Sequence, residues 1–335
     1  MRALVLHGPD DLRLEHREVP EPEPGEVVVR VEAATTCATD AKILRSGDHP
    51  ALGPLPSPFG HEAAGTVVAV GRGVDTVTEG ARVVPANSAP CGSCRSCSGG
   101  GSGQCENLIF LWGAFAEFLR VPRRIVERNL VPLPDGLDIR LAPLAEPLAC
   151  AVRAADHCEP APSARVVILG GGAQGALLTA LLAKRGCQVT VCDPHQERRE
   201  RALEFGASDV AERVADAGDV REIHERCGEP DIVIEAVGRP EAWQAAVELV
   251  RPGGQVLFYG GCTPGSTVAL PTSRLHYDEL TLRGSFHHDP RAFRTAVGLL
   301  SDPRAPYGRL LESPVALDEV GRALRQSGAK RPVII

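Results

Sequence analysis

The stretch from Arg165 to Asp193, RVVILGGGAQGALLTALLAKRGCQVTVCD, limits what this chain can fold into more than any other. Val166 to Leu169 are four apolar residues, three of them β-branched, and they stop at Gly170-Gly171-Gly172. That pattern predicts a buried parallel strand ending in a tight turn. Ala176 to Lys184 favours helix, and Gln188 to Cys192 is β-rich again. Strand, turn, helix and strand in this order form one unit of a doubly wound α/β sheet. Gly170, Gly172 and Gly175 fit the G-x-G-x-x-G spacing, which lets backbone amides approach a pyrophosphate at the positive end of the helix. Asp193 follows 18 residues after Gly175, where a carboxylate accepts the ribose hydroxyls of a dinucleotide and repels a 2′-phosphate. NAD is therefore expected over NADP, with Arg198 and Arg199 the residues that work against this preference.

A chain of 335 residues is long enough for two buried cores. Its net charge of -7, with Lys and Arg scattered, gives no basic footprint for nucleic acid or an anionic membrane, so a small-molecule partner is expected. The apolar run after Arg2 is only Ala3 to Leu6, too short for a secretion signal, and a cytoplasmic location is the default. Val166 to Ala183 has the length of a membrane span, but three glycines and Gln174 in its middle suit a turn. Eleven cysteines without a secretion signal point to metal or free thiols rather than disulfides.

Residues 1 to about 35 alternate short β-prone runs with Pro-rich joints, and the polar cluster Thr35-Thr36-Cys37-Ala38-Thr39-Asp40 follows directly on a strand. His61 and Glu62 open the next β-rich run; on an extended strand they face opposite ways, whereas at a kinked turn both can reach one ion. Cys91, Cys94, Cys97 and Cys105 give C-x2-C-x2-C-x7-C in a loop rich in Ser and Gly. Four thiolates around one zinc ion leave no open position, which is a structural site. A redox C-x-x-C pair would leave Cys97 and Cys105 unexplained. Phe115 to Val121 reads as a strand, and Leu141 to Ala155 as a helix with Pro147 near its start and Glu146 at its cap. Beyond Asp193, a helix over Arg198 to Phe205 and strands over Asp231 to Val237, Val256 to Tyr259 and Leu280 to Leu282 continue the parallel sheet. Leu317 to Gln326 and Pro332 to Ile335 read as a helix and a short strand that return to the β-rich first half.

Cys37-x-Thr39-Asp40, Gly60-His61-Glu62, the four-cysteine lobe, Glu146-Pro147-Leu148, Gly170 to Gly175 with Asp193, and Arg251-Pro252-Gly253-Gly254 occur in the order seen in one family. In these features the chain resembles the zinc-dependent medium-chain alcohol and polyol dehydrogenases, in particular the sorbitol (L-iditol) and threonine dehydrogenase branch. The resemblance implies a GroES-like β-rich catalytic domain over residues 1–147 and 291–335, with a zinc lobe at about 88–107, and a Rossmann NAD-binding domain over 148–290. It implies two zinc ions per chain, one structural and one catalytic. The catalytic ion would be held by Cys37, His61 and a carboxylate, Glu62 or Glu146 or both, with Thr39 at the substrate hydroxyl. Gly170, Gly172, Gln174, Gly175, Asp193 and Arg198 would hold the cofactor.

Two residues depart from the family pattern. Lys42 stands where a proton-relaying His is usual, and Gln174 stands where Val or Ile usually backs the nicotinamide. Phe110, Trp112, His287 and His288 are candidate substrate contacts, and the polar set favours a sugar alcohol or cyclitol. Threonine or another amino alcohol is the alternative, with Arg45 or Arg274 to meet its carboxylate. A non-catalytic nucleotide-binding regulator is a reading of a different class, which Cys37, Thr39, His61 and Glu146 together oppose. A homodimer or homotetramer is expected by analogy alone.

Overall fold

Val27–Thr35, with the sequence VVVRVEAAT, is the strand around which the first part of the chain is built. Its antiparallel partners are Ala63–Val70, Phe118–Val121 and, at its C-terminal end, Pro332–Ile334. Strands Arg82–Pro85 and Leu130–Pro132 extend this sheet on one side and Val315–Ala316 on the other. A smaller sheet joins Arg2–Gly8 to Asp11–His16 and Ser57–Pro58. Leu4, Leu6, Val27, Val29, Phe59, Phe115 and Ile125 lie in the shared core. Phe115 precedes its strand and packs on Phe59 with ring centroids 6.0 Å apart. The structure, a computed structural model, describes residues 1–49, 51–214, 217–326 and 330–335.

The register of this sheet decides which distant residues meet. Ala34 pairs with Ala63 and also with Val333, while Thr35 pairs with Pro332. Following these antiparallel ladders outward brings Thr35 to Cys37 alongside Gly60 to Glu62 on one side and Lys330 to Arg331 on the other. Hydrogen bonds confirm the convergence: Thr35 N–H donates to the Glu62 carbonyl at 3.2 Å, and Thr36 N–H to the Arg331 carbonyl at 3.1 Å. A slip of one residue on either ladder would turn every side chain to the opposite face.

The chain divides into two units, Met1–Ala149 with His288–Ile335, and Cys150–His287. The second unit holds a six-stranded sheet in the order Asp209–Ala211, Gln188–Cys192, Arg165–Leu169, Ile232–Glu235, Gln255–Phe258, Thr281–Gly284, with all neighbours parallel. The order reverses between Arg165–Leu169 and Ile232–Glu235, the point at which such sheets bind ligands outside their carboxyl ends. Helix Ala173–Lys184 follows the glycine turn and buries Ala176, Leu177, Leu178, Leu181 and Leu182. At Gly175 a Cβ would come 1.9 Å from the Gly170 carbonyl oxygen, so the close packing of this helix on its strand demands glycine. Among the described residues no helix is long and apolar enough to cross a membrane.

Candidate active site

Cys37 caps the N-terminus of helix Ala38–Ser46, which starts immediately after the central strand. Its N–H donates to Asp40 Oδ2 at 3.0 Å, so Asp40 is tied back to the start of its own helix. The other oxygen, Oδ1, lies 2.8 Å from His61 Nδ1. Gly60, at φ +84, kinks the chain just before His61, and a Cβ there would lie 2.6 Å from the Phe115 ring. The kink lets His61 and Glu62 serve one point: ligand atoms of Cys37, His61 and Glu62 all lie within 4.8 Å of one another. Sulfur, imidazole nitrogen and carboxylate oxygen are a donor set suited to zinc. With Nδ1 engaged by Asp40, the nitrogen His61 presents to an ion is Nε2, the arrangement in which a carboxylate fixes a ligand's tautomer and orientation. In the metal-free chain burial opposes a charge on His61, yet the Asp40 carboxylate and Cys37 outweigh it and hold the imidazole well above its ordinary proton affinity.

Asp40 therefore acts through His61, and an Asp40→Asn enzyme is expected to lose about 10–100-fold in affinity for the ion at this site. Competition with a metal-chelating dye measures it; an unchanged affinity would show that Asp40 only caps its helix.

Glu62 is fully buried and is held by the Thr35 hydroxyl and by the ammonium of Lys330, itself buried. Burial discourages a charge on Lys330, but Cys37, Glu62 and Glu146 together raise its proton affinity, so Lys330 is a cation here. His61 Nε2 lies 3.9 Å from the same Glu62 oxygen that Lys330 contacts. Glu146, in the first turn of helix Ala145–Cys158, is buried too, and its Oε1 accepts from Asn87 Nδ2 at 3.0 Å. Asn87 Oδ1 in turn pairs with His288 Nε2 at 2.8 Å, making a buried His288–Asn87–Glu146 chain. Burial raises the Glu146 carboxyl above its usual range, Glu62 adds to this, and His61 and Lys330 work against it.

Of the other candidates, Trp112 lies edge-on to His61, with centroids 5.4 Å apart, and its indole N–H donates to the Ala51 carbonyl at 2.8 Å. Phe110 sits on the short strand Ile109–Phe110, paired with Ser88. Thr39 is half-buried on the first turn after Cys37, and Lys42, one turn further on, is exposed. The unit boundary falls between the two histidines: His288 belongs to the first unit, whereas His287, at φ +63, belongs to the second. Arg45 is exposed, and Arg274 is engaged with the Val247 and Val250 carbonyls.

Cys91, Cys94, Cys97 and Cys105 form a second group within 4.8 Å. Cys94 Sγ and Cys105 Sγ are 3.9 Å apart. A tetrahedron with ~2.3 Å zinc–sulfur bonds has edges of roughly 3.8 Å, so the spacing fits one ion. Backbone N–H groups of Ser93 and Cys94 point at Cys91 Sγ at 3.5 and 3.4 Å, and those of Cys91 and Asn107 at Cys105 Sγ at 3.2 and 3.3 Å. These amides favour thiolates: the Cys91 thiol is brought down to about 6. Burial and the neighbouring sulfurs push Cys97 up to about 12.

In the second unit Asp193 is buried at the end of strand Gln188–Cys192, with Oδ2 accepting from Gly171 N–H at 2.8 Å and Oδ1 from His195 N–H at 2.9 Å. Arg198 Nη1 reaches Oδ2 at 3.5 Å, and Arg199 Nη1 donates to the Asp193 carbonyl at 2.7 Å. Gln174 stands in the first turn of helix Ala173–Lys184, and Tyr259 donates to its Oε1 at 2.7 Å. Gly170, at φ +103, makes the turn that leads into this helix.

Asp40, Asn87, Lys330 and Tyr259 were not assigned roles from the sequence. For Asp40 a signal existed, an Asp three residues after Cys37 at a helix start. The other three meet their partners only through sheet pairing or long loops.

Residues 23–135 match the family model of the alcohol dehydrogenase GroES-like domain, and residues 173–302 that of the zinc-binding dehydrogenases. The chain is 30% identical over 344 aligned positions to a sorbitol dehydrogenase of Bombyx mori, covering 99% of this chain and 97% of the relative. It is 32% identical to a D-altritol 5-dehydrogenase of Agrobacterium fabrum, covering 89% and 87%. A crystal structure of a zinc-binding dehydrogenase from Sinorhizobium meliloti, bound to NADP, superposes with a TM-score of 0.91 at 29% identity, covering 100% of this chain and 99% of that one.

Proposed function

The chain belongs to the zinc-dependent medium-chain dehydrogenase family, and from that premise we propose that it oxidises a secondary alcohol of a polyol, sugar alcohol or cyclitol with NAD. The observation that carries this reading is the Cys37–His61–Glu62 cluster with Asp40 behind it. A zinc ion held there would supply Lewis acidity that draws a substrate hydroxyl's pKa towards neutrality, and a bound nicotinamide would supply the hydride acceptor.

The chain's own residues set the terms. Cys37 as thiolate, His61 neutral and Glu62 ionised balance the charge of a divalent ion, and ionisation of Glu146 would make the site anionic. Lys330 offsets one carboxylate charge, and the Asn87 amide keeps Glu146 in place. Thr39 Oγ1 accepts the hydroxyl proton as it gives up its own, and Lys42, exposed one helical turn away, takes that proton on its neutral amine and releases it to water. Trp112 beside His61 supplies an apolar wall against which a carbon chain can lie. The polyol class is favoured by the relatives' activities on sorbitol and altritol and by the polar Thr39 and Glu146. NAD is favoured by Asp193. Eleven free cysteines suit a reducing compartment, and we take the reaction to be cytoplasmic.

NADH formation across polyols, cyclitols, threonine and simple alcohols tests this reading, with pH–rate profiles of wild type and Lys42→Ala as a second arm. The expected result is turnover of polyols and a shifted basic limb in the variant. No turnover by zinc-loaded protein would sink the enzyme reading, and identical profiles would remove Lys42 from the relay.

A further inference from the structure

Gln174 and Tyr259 come from opposite sides of the point where the strand order of the parallel sheet reverses. Gln174 is the second residue of helix Ala173–Lys184, which leaves the carboxyl end of strand Arg165–Leu169 through the glycine turn. Tyr259 is the first residue beyond strand Gln255–Phe258. Strand Ile232–Glu235 lies between those two strands, and the Tyr259 hydroxyl crosses its end to donate to Gln174 Oε1 at 2.7 Å. The contact therefore spans the crevice in which an open parallel sheet binds its ligand.

The tyrosine is aimed by a fixed backbone. Tyr259 N–H and Gly260 N–H donate to the Glu235 carbonyl at 2.9 and 2.8 Å. Glu235 Oε1 accepts from the Val237 and Gly238 amides, both at 2.7 Å, which ties the neighbouring strand end to the same carboxylate residue. At Gly260 a Cβ would lie 2.3 Å from Gly238 N, so the two turns pack without space for any side chain. Trp243 stacks on Phe258 at 3.9 Å and donates to the Gly260 carbonyl at 3.1 Å.

A hydroxyl that donates to Oε1 leaves Gln174 Nε2 as a two-proton donor, and this nitrogen has no hydrogen-bond partner among the described residues. Asp193 and the helix N-terminus lie on the adenosine and pyrophosphate side of the reversal point. The remaining end of a dinucleotide must cross towards strands Ile232–Glu235 and Gln255–Phe258, and the one strong acceptor on its ring is the carboxamide oxygen. We propose that Tyr259 is a cofactor-positioning residue, which locks the Gln174 amide so that Nε2 donates to the carboxamide of a bound nicotinamide. Anchoring the carboxamide fixes the rotation of the ring and hence the face it presents for hydride transfer. This inference rests on the dehydrogenase reading and adds to it how the reactive ring is held.

Tyr259→Phe, Gln174→Leu and the double variant test it, by fluorescence titration with NADH and by displacement with ADP-ribose, which lacks the nicotinamide. Each single variant is expected to weaken NADH by about fivefold, as for one neutral hydrogen bond. The double should be no worse than the weaker single, since both remove one unit. ADP-ribose should bind all four proteins alike. Unchanged NADH affinity, a parallel loss of ADP-ribose, or a loss confined to the polyol KM at saturating NAD would each overturn the proposal. A wild-type protein that binds NADH but oxidises no alcohol would instead count against the dehydrogenase reading, and the binding comparison would still decide the role of Tyr259.

Discussion

Replacing Lys330 with Met is expected to lower the unfolding temperature of the zinc-free protein far more than that of the zinc-loaded protein. Lys330 and Glu62 are both buried, and the ammonium contacts that carboxylate more closely than does His61, whose Nε2 lies 3.9 Å away. Methionine keeps most of the volume and removes the nearest charge, leaving a buried carboxylate with the Thr35 hydroxyl and the more distant His61 imidazole to answer it. Breaking a buried pair from one side costs about 3–5 kcal/mol, on the order of 10 °C in a unit of this size. An ion ligated by Glu62 would supply the missing positive charge in the loaded protein, so the penalty is expected to shrink. Thermal unfolding of both proteins, with and without a strong chelator, measures the difference of differences, in which loss of the ion from the cysteine lobe cancels. An equal drop in both states would show that Glu62 gains nothing from the metal and stays with its protein partners. The loaded variant should also retain zinc more tightly, because Lys330 no longer competes for Glu62.

What could be read from the sequence alone follows from how locally each feature is determined. The glycine turn, its strand and helix, and Asp193 lie within one stretch of chain, and period and spacing suffice to place them. The cysteine lobe is similarly self-contained: four sulfurs over 15 residues with no apolar residues of their own leave a metal as the economical organiser. Cys37 and His61 needed the family resemblance, since nothing short-range says that the chain kinks at Gly60. Lys330 was out of reach because it meets Glu62 across 268 positions, and His288 meets Asn87 across 201. Those contacts are set by the register of Pro332–Ile334 on Val27–Thr35 and by a return of the chain from the second unit to the first. The strand read as Phe115 to Val121 is shorter, Phe118–Val121, because Phe115 is drawn out of line to fill the space that Gly60 leaves beside Phe59.

The second large effect is expected at Asp193. Wild-type enzyme should use NAD in preference to NADP, and Asp193→Ser should cut the ratio of the two kcat/KM values by about 100-fold or more. A 2′-phosphate beside a buried carboxylate meets like charge, which costs several kcal/mol, and each 1.4 kcal/mol is about tenfold. With the carboxylate gone, Arg198, now at that carboxylate, and Arg199, at the Asp193 backbone carbonyl, can turn to the phosphate. The substitution has a second consequence that the turn geometry makes visible. Asp193 accepts from Gly171 N–H and from His195 N–H with separate oxygens, and a single serine hydroxyl can replace at most one of these. NAD turnover should therefore fall as well, while the change in ratio comes mainly from a lower KM for NADP. The NADP held by the Sinorhizobium meliloti relative makes the wild-type measurement decisive. If the unaltered chain reduces NADP as readily as NAD, the Asp193 carboxylate serves the Gly170–Gly175 turn rather than the ribose, and cofactor choice lies with the two arginines.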